Sequence, residues 1–500
     1  MDTARQDSGG QVTAGPAAAG REPPWEAPQA SGPLRARVRV PGSKSMTNRA
    51  LVLAALAAGP ADILNPLLAR DTLLMADALR ALGATVNTHA TADAPATAET
   101  SPMSATSATA WRVSPGWTAS DARVDVGNAG TVMRFVPPVA ALASVATEFH
   151  GDPRASQRPV GAIISALREI GAVIDDGGRG AIPFTVHGTG SLAGGAVTVD
   201  ASASSQLVSG LLLAAPRYDK GLEVRHRGGR APSAPHIAMT VQMLRDAGAA
   251  VETASVSTAS VWPAAAGPRA VTAGGAVTAG GAGGARTSAD VLPDTWYVHP
   301  GALSGQPITV QPDVVNSMPF LAAAMVTGGT VTILGWPAVT TQPAAQILSI
   351  LREMGADCVM GPGGLTVTGP PELRGITADL ADCSEISMVL GALAALAGSP
   401  SVLTGIGHQR HQETDRLAAL ATEINTLGGD VTERPDGLEI RPRPLRSGRP
   451  FATYDDHRLV MAAAVLGLVV PGLRVENVAT VGKTFPGFTS AWAAMLERAP

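Results

Sequence analysis

The feature that most constrains the fold of this 500-residue chain is an internal repeat. The segment L-R-A-L-G-A, at Leu79–Ala84, recurs with small changes from Leu167, Leu244 and Leu351, and a weaker copy starts at Ile424. Each copy ends a stretch with apolar residues at positions i, i+3, i+4 and i+7, which is typical of an amphipathic helix, and its glycine permits a left-handed cap. Because a short β-type run follows each copy, the repeat predicts a series of similar α/β units.

A second and more apolar type of helix is predicted before each amphipathic helix. It is rich in Ala, Leu, Val and Met, so we expect it to be buried on every side. With a last amphipathic helix over Phe488–Leu496, the pattern predicts six units of roughly 75 residues, each with a strand, a buried helix, a strand, an amphipathic helix and a hairpin. The predicted buried helices span Ala50–Ala58, Val132–Ala143, Leu207–Ala215, Met318–Val326, Ile386–Leu396 and Leu459–Val469.

Polar side chains collect at the entrances of these buried helices, meaning the first turn and the residues just before it. A helix N-terminus offers free N–H groups and the positive end of the dipole, which suit a phosphate or a carboxylate. Capping by Ser43, with Lys44 and Arg49 in solvent, explains the first entrance equally well. It does not explain cations at several entrances, which the dipole disfavours, so we expect the entrances to converge on one anion site. They carry Ser43, Lys44, Ser45 and Arg49; Asn128, Gly130, Thr131 and Arg134; Ser204, Ser205 and Gln206; Asp313 and Asn316; Glu385; and Asp456, His457 and Arg458.

Composition limits the partners of such a site. A net charge of -4 and an aromatic content of 3% argue against nucleic acid or an anionic membrane as a partner, because both select a broad basic surface. The expected ligand is therefore a small polyanion. The two cysteines, Cys358 and Cys383, are too few for a disulfide framework or a cysteine-based zinc site, and we expect both to act as small hydrophobes.

Three stretches lack a periodic pattern. Residues 1–33 are expected to form a disordered tail, and residues 89–109 and 253–290 are expected to be low-complexity insertions. The first residues have no apolar signal-peptide core, and no stretch reaches the roughly 18 uncharged apolar residues of a membrane span. We therefore expect a soluble, cytoplasmic protein.

Seven motifs, in order along the chain, carry a resemblance to a known family. One of them alone is a weak signal, whereas seven in register, from Leu34 to the C-terminus, are a strong one. The chain resembles the 5-enolpyruvylshikimate-3-phosphate synthases, which are enolpyruvyl transferases. The motifs are P-G-S-K-S-x-x-N-R-A-L from Pro41, N-A-G-T-V-M-R from Asn128, G-D-P-R-x-x-x-R-P from Gly151, A-S-S-Q from Ala203, E-T-D-R-L from Glu413, D-D-H-R from Asp455 and K-T-F-P from Lys483.

The resemblance implies a two-domain inside-out α/β barrel of six βαβαββ repeats, three per domain, with buried helices and outer sheets. The first domain is expected over residues 43–309. The second is expected to combine residues 34–42 with residues 310–500, so that the ligand cleft lies between the two. The resemblance also implies a monomer that needs no metal and no organic cofactor.

The resemblance implies a 3-phosphoshikimate 1-carboxyvinyltransferase of the shikimate pathway to chorismate and the aromatic amino acids. The 5-hydroxyl of shikimate 3-phosphate adds to C2 of phosphoenolpyruvate as C3 is protonated, and the tetrahedral ketal then expels phosphate. The expected catalytic residues are Glu385, as the base for the 5-hydroxyl, and Lys44 and Glu413, for proton transfer at C3. Shikimate 3-phosphate is expected on Lys44, Ser45, Arg49, Ser204, Ser205, Gln206, Ser233, Glu385 and Gln412. Phosphoenolpyruvate is expected on Lys44, Asn128, Gly130, Arg158, Gln206, Arg416, Arg458 and Lys483.

Four positions depart from the commonest form of the motifs. Glu385 stands in place of Asp, His236 in place of Tyr, His408 in place of Asn and Gln412 in place of Lys. A neutral amide at Gln412 cannot neutralise phosphate, so we expect weaker phosphoenolpyruvate binding unless Arg410 or His411 compensates. The family also implies inhibition by glyphosate, a phosphoenolpyruvate mimic, with Gly130 leaving room for the ligand.

Two other functions remain as alternatives. A UDP-N-acetylglucosamine enolpyruvyl transferase has the same fold, but it is expected to carry K-N-A near the N-terminus and a cysteine in a first-domain loop, which this chain lacks. A non-catalytic relative that kept the anion pocket is the other alternative, although the proton-transfer candidates are all present. Read without the family, Glu413 is a first-turn acid that pairs with Arg416 at i, i+3.

Overall fold

The structure is a computed structural model that describes residues 23–88, 110–117, 122–255 and 294–497. Within these ranges the two predicted helix types alternate along the chain. The buried type comprises α1 (Lys44–Leu56), α3 (Gly130–Ala140), α5 (Gln206–Ala214), α7 (Met318–Thr327), α9 (Ser387–Ala395) and α11 (His457–Gly467). The amphipathic type comprises α2 (Arg70–Ala81), α4 (Gly161–Glu169), α6 (Pro235–Asp246), α8 (Ala344–Glu353), α10 (Arg416–Thr426) and α12 (Phe488–Glu497).

The repeat glycines cap the amphipathic helices as the sequence predicts. Each adopts a left-handed backbone that residues with a Cβ rarely reach, with φ between 92° and 110°. These glycines are Gly83, Gly171, Gly248, Gly355 and Gly428.

The strands lie between the helices. They are β1 (Trp25–Glu26), β2 (Arg35–Val38), β3 (Ala61–Leu64), β4 (Thr85–Asn87), β5 (Ala110–Ser114), β6 (Ala122–Asp125), β7 (Ala146–His150), β8 (Val173–Asp175), β9 (Phe184–His187), β10 (Gly195–Val199), β11 (Leu222–His226), β12 (Val251–Ala254), β13 (Thr295–Val298), β14 (Ile308–Thr309), β15 (Thr330–Leu334), β16 (Asp357–Gly361), β17 (Gly364–Thr368), β18 (Thr377–Asp379), β19 (Ser401–Thr404), β20 (Asp430–Arg434), β21 (Gly437–Arg441) and β22 (Arg474–Val475).

Five four-stranded sheets repeat one topology, in which a parallel pair is extended by an antiparallel hairpin. In the sheet β6-β7-β9-β8, for example, β6 and β7 are parallel, and Phe149 of β7 stacks on Phe184 of β9 with ring centroids 4.8 Å apart. Buried and exposed residues alternate along β6, so the sheet turns one side to the helices and the other to solvent. The other sheets have the orders β14-β3-β5-β4, β10-β11-β13-β12, β16-β17-β15-β2 and β18-β19-β21-β20.

Two strands are exchanged between distant parts of the chain. The N-terminal strand β2 pairs in parallel with β15, whereas β14, from the middle of the chain, pairs in parallel with β3. The two crossing segments also touch, because Ser43 N donates to Gln311 O at 2.8 Å and Asp313 N donates to Pro41 O at 2.9 Å. The chain thus crosses twice between the part of the molecule that contains β3 and the part that contains β15.

Two separate hydrophobic cores result. The first extends from Met46 to Val310, and the second combines Ala27–Val40 with Val314–Met495. The buried helices are at the centre of both, and every residue of α3 is buried. The side of the molecule built on the first core is called the first half below, and the side built on the second core is called the second half.

The N-terminal tail and one insertion differ from the sequence prediction. The prediction that the chain is disordered up to residue 33 is wrong for residues 23–33, because β1 pairs with β22. In addition, Ala27 is 3% exposed and packs on Gly467. A two-residue strand carries too little pattern to be predicted. Residues 253 and 254 belong to β12, whereas residues 1–22, 89–109 and 256–290 lie outside the described ranges. The sixth unit also differs, because its described sheet is the two-stranded β1-β22, without the predicted hairpin.

Candidate active site

One pocket lies between the two halves, where the buried helices begin. Residues at the entrances of α1, α3, α5, α9 and α11 line it, together with residues from α6, α10 and the loops around them. The entrance of α7 lies behind the wall, where Asn316 Oδ1 accepts from Arg458 Nη1 at 3.0 Å. The predicted site residues on the wall are Lys44, Ser45, Gly130, Arg158, Ser204, Ser205, Gln206, Ser233, Glu385, Gln412, Glu413, Arg416 and Arg458.

Arg49, Asn128 and Lys483 are the predicted residues that do not line the pocket. Asn128 and Lys483 lie directly behind Arg158 and Glu413, respectively. Lys483 Nζ donates to Asn128 O at 3.3 Å, so these two residues join the two halves at the back of the wall.

The entrance of α1 starts earlier than predicted, because the helix begins at Lys44 and not at Ala50. Ser43 occupies the N-cap position, but its side chain makes no capping hydrogen bond. The backbone N–H of Lys44 instead donates to Asp313 Oδ2, from the second half, at 3.3 Å. The Lys44 side chain reaches Asp71 Oδ2 at 3.2 Å. A distant carboxylate thus completes this helix start and places Lys44 and Ser45 on the pocket wall.

Arg49 is fully buried one turn further along α1. Its guanidinium donates to Thr240 Oγ1, Ser209 Oγ and the carbonyls of Ser45 and His236, and it lies 5.1 Å from the centroid of the Phe135 ring. It forms no ion pair with any described residue. Burial lowers the pKa of Arg49 to about 9, which still leaves the side chain charged at neutral pH.

The entrance of α3 gathers two more arginines around a glycine. Arg134 Nη1 donates to Gln206 Oε1 at 2.9 Å. Arg158 Nη1 donates to Asn128 O at 2.7 Å, and its Nη2 donates to Gln412 Oε1 at 3.3 Å. A Cβ on Gly130 would lie 2.7 Å from Arg158 Nη2 and 2.8 Å from Arg134 Nη1. The glycine therefore allows the two guanidinium groups to approach the helix N-terminus.

The second half contributes cations that are already paired with carboxylates. Glu413 Oε1 lies 2.7 Å from Lys483 Nζ, and Glu413 Oε2 lies 2.8 Å from Arg416 Nη2. Arg416 Nε also donates to Asp456 Oδ2 at 2.7 Å, while Asp456 Oδ1 accepts from the backbone N–H of Arg458 at 2.8 Å and so caps α11. Burial raises the pKa of Glu413, but the charges of Lys483 and Arg416 outweigh it and hold the pKa well below its usual value.

Three of the four residues that depart from the family motifs, Glu385, His236 and His408, meet at one corner of the pocket. Glu385 Oε1 accepts from Ser233 Oγ at 2.9 Å and lies 3.4 Å from His236 Nδ1. Ser384 Oγ, next to Glu385, lies 3.0 Å from Ser233 Oγ and 3.0 Å from His408 Nε2. The two halves therefore share a hydrogen-bonded network on this side of the pocket.

Arg410 does not take over the role of the missing lysine. Its guanidinium is held by Asp415 and by Glu433, which lies 2.7 Å from Arg410 Nη1, and neither Arg410 nor His411 lines the pocket. The prediction that Arg410 compensates for the missing lysine is therefore wrong, because Asp415 and Glu433 neutralise the charge of Arg410 outside the pocket.

Several residues of the wall were not predicted as site residues. Thr131 and His457 stood at predicted entrances without an assigned role, whereas Ser384 and Gln409 were missed altogether. Gln409 accepts from Arg416 Nη1 at 2.6 Å and donates to Ser384 Oγ at 3.0 Å. Its only signal in the sequence was its place between two motif residues.

The described ranges contain no group of three or more His, Cys, Asp and Glu side chains placed to hold a metal ion. None of the helices described is both long and apolar enough to cross a membrane.

The fold and the pocket define a two-core α/β protein in which basic side chains of both halves gather around the N-termini of buried helices. A model of the EPSP synthase family, whose activity is that of a 3-phosphoshikimate 1-carboxyvinyltransferase, matches residues 28–274 and 284–492. The chain therefore belongs to the EPSP synthase family, and it carries out the enolpyruvyl transfer of the shikimate pathway. This match confirms the resemblance and the activity that the motifs predicted, and it decides against the UDP-N-acetylglucosamine alternative.

Solved structures agree on the fold. Two structures of EPSP synthase from Acinetobacter baumannii are similar to this chain, with TM-scores of 0.69 and 0.67 at 23% and 22% sequence identity. The first match covers 94% of this chain and 97% of the solved one, and the second covers 93% and 97%. The predicted α/β class with buried helices is confirmed.

Proposed function

We propose that the pocket between the halves is the active site and that the residues on and behind its wall divide the two substrates between them. The observation that carries the proposal is the meeting of the buried-helix entrances in one cavity, with cations from both halves and carboxylates from the second half. Two substrates that each bear a phosphate and a carboxylate need such fixed donors, because a buried charge without partners is costly.

Shikimate 3-phosphate is assigned to the side where hydroxyls dominate. Ser204, Ser205 and Ser233 offer short donors on the wall, and Gln206, Lys44, Ser45 and Gln412 surround them. Arg49, behind Ser45, acts through its charge and through the hydrogen bond from its Nη1 to Ser45 O at 2.9 Å. Glu385, at the same side, faces the 5-hydroxyl.

Phosphoenolpyruvate is assigned to the side where arginines dominate. Arg158, Arg416 and Arg458 can bind carboxylate or phosphate oxygens in pairs, because a guanidinium presents a planar fork of donors. Gly130 leaves the space for the ligand, while Asn128 and Lys483 hold Arg158 and Glu413 in place. Lys44 lies between the two substrates and contributes to both.

The chemistry then follows from two buried carboxylates with different partners. Glu385 takes the 5-hydroxyl proton as O5 bonds to C2 of phosphoenolpyruvate. The Lys44 ammonium delivers a proton to C3, and the ionised Glu413 takes one from C3 when the ketal expels phosphate, after which the proton returns to Lys44. Lys483 and Arg416 keep Glu413 ionised between these steps, and the cations of the wall stabilise the charge on the departing phosphate.

The wider setting is also proposed. We assign residues 43–309 to one domain and residues 34–42 with 310–500 to the other, as the strand exchange and the two cores suggest. We further assign the protein to the cytoplasm as a monomer. Ligand charge draws the cationic faces together, so small-angle scattering should show smaller dimensions with shikimate 3-phosphate, and identical dimensions would contradict closure.

The assay that tests the function mixes the full chain with both substrates and follows phosphate and the enolpyruvyl product by mass spectrometry. We expect equal amounts of both, and neither when one substrate is omitted or when UDP-N-acetylglucosamine replaces shikimate 3-phosphate. Binding of both substrates without phosphate release would support the non-catalytic alternative and overturn the proposal.

A further inference from the structure

We propose that His236 is a second proton acceptor behind Glu385, so that the 5-hydroxyl proton passes from substrate to carboxylate to imidazole. This inference rests on the proposed role of Glu385 as the base. It goes beyond that role because it assigns a proton-transfer function to a position where the family motif commonly has a tyrosine.

The geometry gives the two carboxylate oxygens different surroundings. Glu385 Oε1 accepts from Ser233 Oγ at 2.9 Å and faces His236 Nδ1 at 3.4 Å. Glu385 Oε2 is buried and has no hydrogen-bond partner among the described residues. Both side chains line the pocket. One oxygen is thus anchored beside an imidazole, while the other is left for a proton that arrives with the substrate.

The backbone, not the side chain, of His236 holds the start of α6 in place. His236 O accepts from Arg49 Nη2 at 3.0 Å and from Thr240 Oγ1 at 3.0 Å. The imidazole is 13% exposed and turns towards Glu385. The packing around Arg49 therefore does not require this side chain, which can change its charge during a reaction.

The charges around His236 favour a neutral imidazole before the reaction. It is faced by Glu385 from the second half, by Lys44 and Arg49 of α1 and by Asp313 before α7. Burial lowers the pKa of His236, and the two cations lower it further against the opposing carboxylates. A neutral imidazole at physiological pH is able to accept a proton.

Glu385 is the ionised partner of the neutral His236. Burial raises its pKa, but the hydrogen bond from Ser233, the charge of Arg458 and, once the imidazole is protonated, the charge of His236 lower it, so its pKa lies below the usual value. Arg416 and His408 face it from the remaining side. An ionised carboxylate beside a neutral imidazole forms a two-stage acceptor.

The proton balance of the step is simple. The O5–H bond breaks and the O5–C2 bond forms, while the C2–C3 π pair moves to C3, which takes its proton from the Lys44 ammonium. The carboxyl group of Glu385 turns so that Oε2 leaves its buried position and takes the hydroxyl proton. It then presents this proton to His236 Nδ1, which is unprotonated because the neutral imidazole keeps its hydrogen on Nε2. The terminal torsion of Glu is broad and two-fold, so this turn is a small barrier. The proton leaves with the released phosphate, which restores the neutral imidazole.

The test is the pH dependence of kcat for phosphate release by the full chain. In the wild type both Glu385 and His236 must be unprotonated, so log kcat should fall on the acid side with a slope approaching two. His236→Gln keeps a hydrogen-bonding side chain but cannot titrate, so the slope should fall to one, with kcat lower by about tenfold. His236→Tyr, which restores the common residue, should also give a slope of one.

The control is His299→Gln. His299 Nε2 lies 2.7 Å from Glu252 Oε1 in an exposed pair outside the pocket, so both kcat and the slope should match the wild type. Calorimetry with shikimate 3-phosphate reports whether a variant still binds substrate. Wild-type slope and kcat in both His236 variants would overturn this inference alone. A wild type that releases no phosphate would overturn the proposed function as well, so the two failures are distinguishable.

Discussion

The two halves prepare their cations for a polyanion in different ways. In the first half, Lys44 is paired with Asp71 at 3.2 Å, but Arg49, Arg134 and Arg158 donate only to neutral groups among the described residues. In the second half, Arg416 and Lys483 are ion-paired with buried carboxylates at 2.7 Å. One wall of the pocket therefore carries unbalanced positive charge, and the other is close to electrical balance.

This difference suggests a division of labour. Burial and the neighbouring charge of Arg158 together lower the pKa of Arg134 to about 9, so a bound anion would stabilise the charged guanidinium. In the second half the carboxylates stabilise the cations without a ligand, and the same cations keep Glu413 ionised. The first half is thus built to capture anions, and the second half is built to position the two carboxylates that accept protons.

The largest expected effect comes from Glu413→Gln, which removes the carboxylate that balances the second half. Proton transfer from C3 loses its acceptor, and kcat for phosphate release should fall by about 100- to 1,000-fold. The KM for phosphoenolpyruvate should not rise, because Arg416 and Lys483 gain free positive charge. Glu433→Gln, which removes a carboxylate paired with Arg410 outside the pocket, is the matched control. A kcat within threefold of the wild type would contradict the role of Glu413.

The converse change is Arg158→Gln, which removes an unbalanced cation from the first half. A charged hydrogen bond contributes about 1.5–3 kcal/mol, so the KM for phosphoenolpyruvate should rise by about 10- to 150-fold, with a smaller change in kcat. The control is Arg123→Gln, which removes the same charge at an exposed position of β6, in the same half but away from the pocket. If kcat falls and KM stays, the division between capture and chemistry is wrong.

Much of the fold could be predicted because it depends on local patterns. Apolar periodicity and capping glycines placed the helices, with starts or ends that differ by up to three residues except at α1, which begins six residues before the predicted start. The start of α1 could not be predicted, because residues 44–49 are mostly polar and the helix is completed by Asp313, from the other half. Strand β1 was missed for a similar reason, since its two residues are ordered only by pairing with β22.

The site also has features that the sequence could place and features that depend on contacts between the two halves. Motif residues such as Arg158 and Glu413 could be placed because the family pattern fixes their spacing. The contact between His236 and Glu385 could not, since it joins α6 to a turn in the other half across the cleft. Sequence shows that both residues depart from the motif, but only the packing of the halves shows that the two departures touch.

Gly130→Ala sharpens the comparison by crowding the first half without changing its charge. The new Cβ would lie 2.7 Å from Arg158 Nη2 and 2.9 Å from Gln206 Oε1, so the ends of these side chains must shift. We expect a rise of about tenfold in the KM for phosphoenolpyruvate, because displaced donors lose their alignment. Inhibition by glyphosate should weaken in parallel. Gly301→Ala, at a glycine with open space around it, should change neither quantity; equal inhibition of Gly130→Ala and wild type would contradict the placement.

The smallest expected effect comes from Gln412→Lys, which adds a cation to the second half where the family commonly has one. Gln412 Oε1 now accepts from Arg158 Nη2 at 3.3 Å and so occupies a donor of the first half. A lysine is repelled by Arg158 and turns its ammonium to the ligand, which also frees that donor. The KM for phosphoenolpyruvate should fall by about threefold to fivefold, the size of a solvent-accessible ion pair, and the gain should shrink with added salt.

The matched control for this variant is Gln157→Lys, which adds the same charge beside Arg154, outside the pocket. A fall in KM only in Gln412→Lys shows a local contact with the ligand, because general attraction of the anion would act in both variants. An unchanged KM in Gln412→Lys would mean that the arginines of the first half already saturate the anionic groups of the ligand. The absence of the lysine would then have no consequence for binding of phosphoenolpyruvate. The unbalanced arginines of the first half alone would account for capture of the anion.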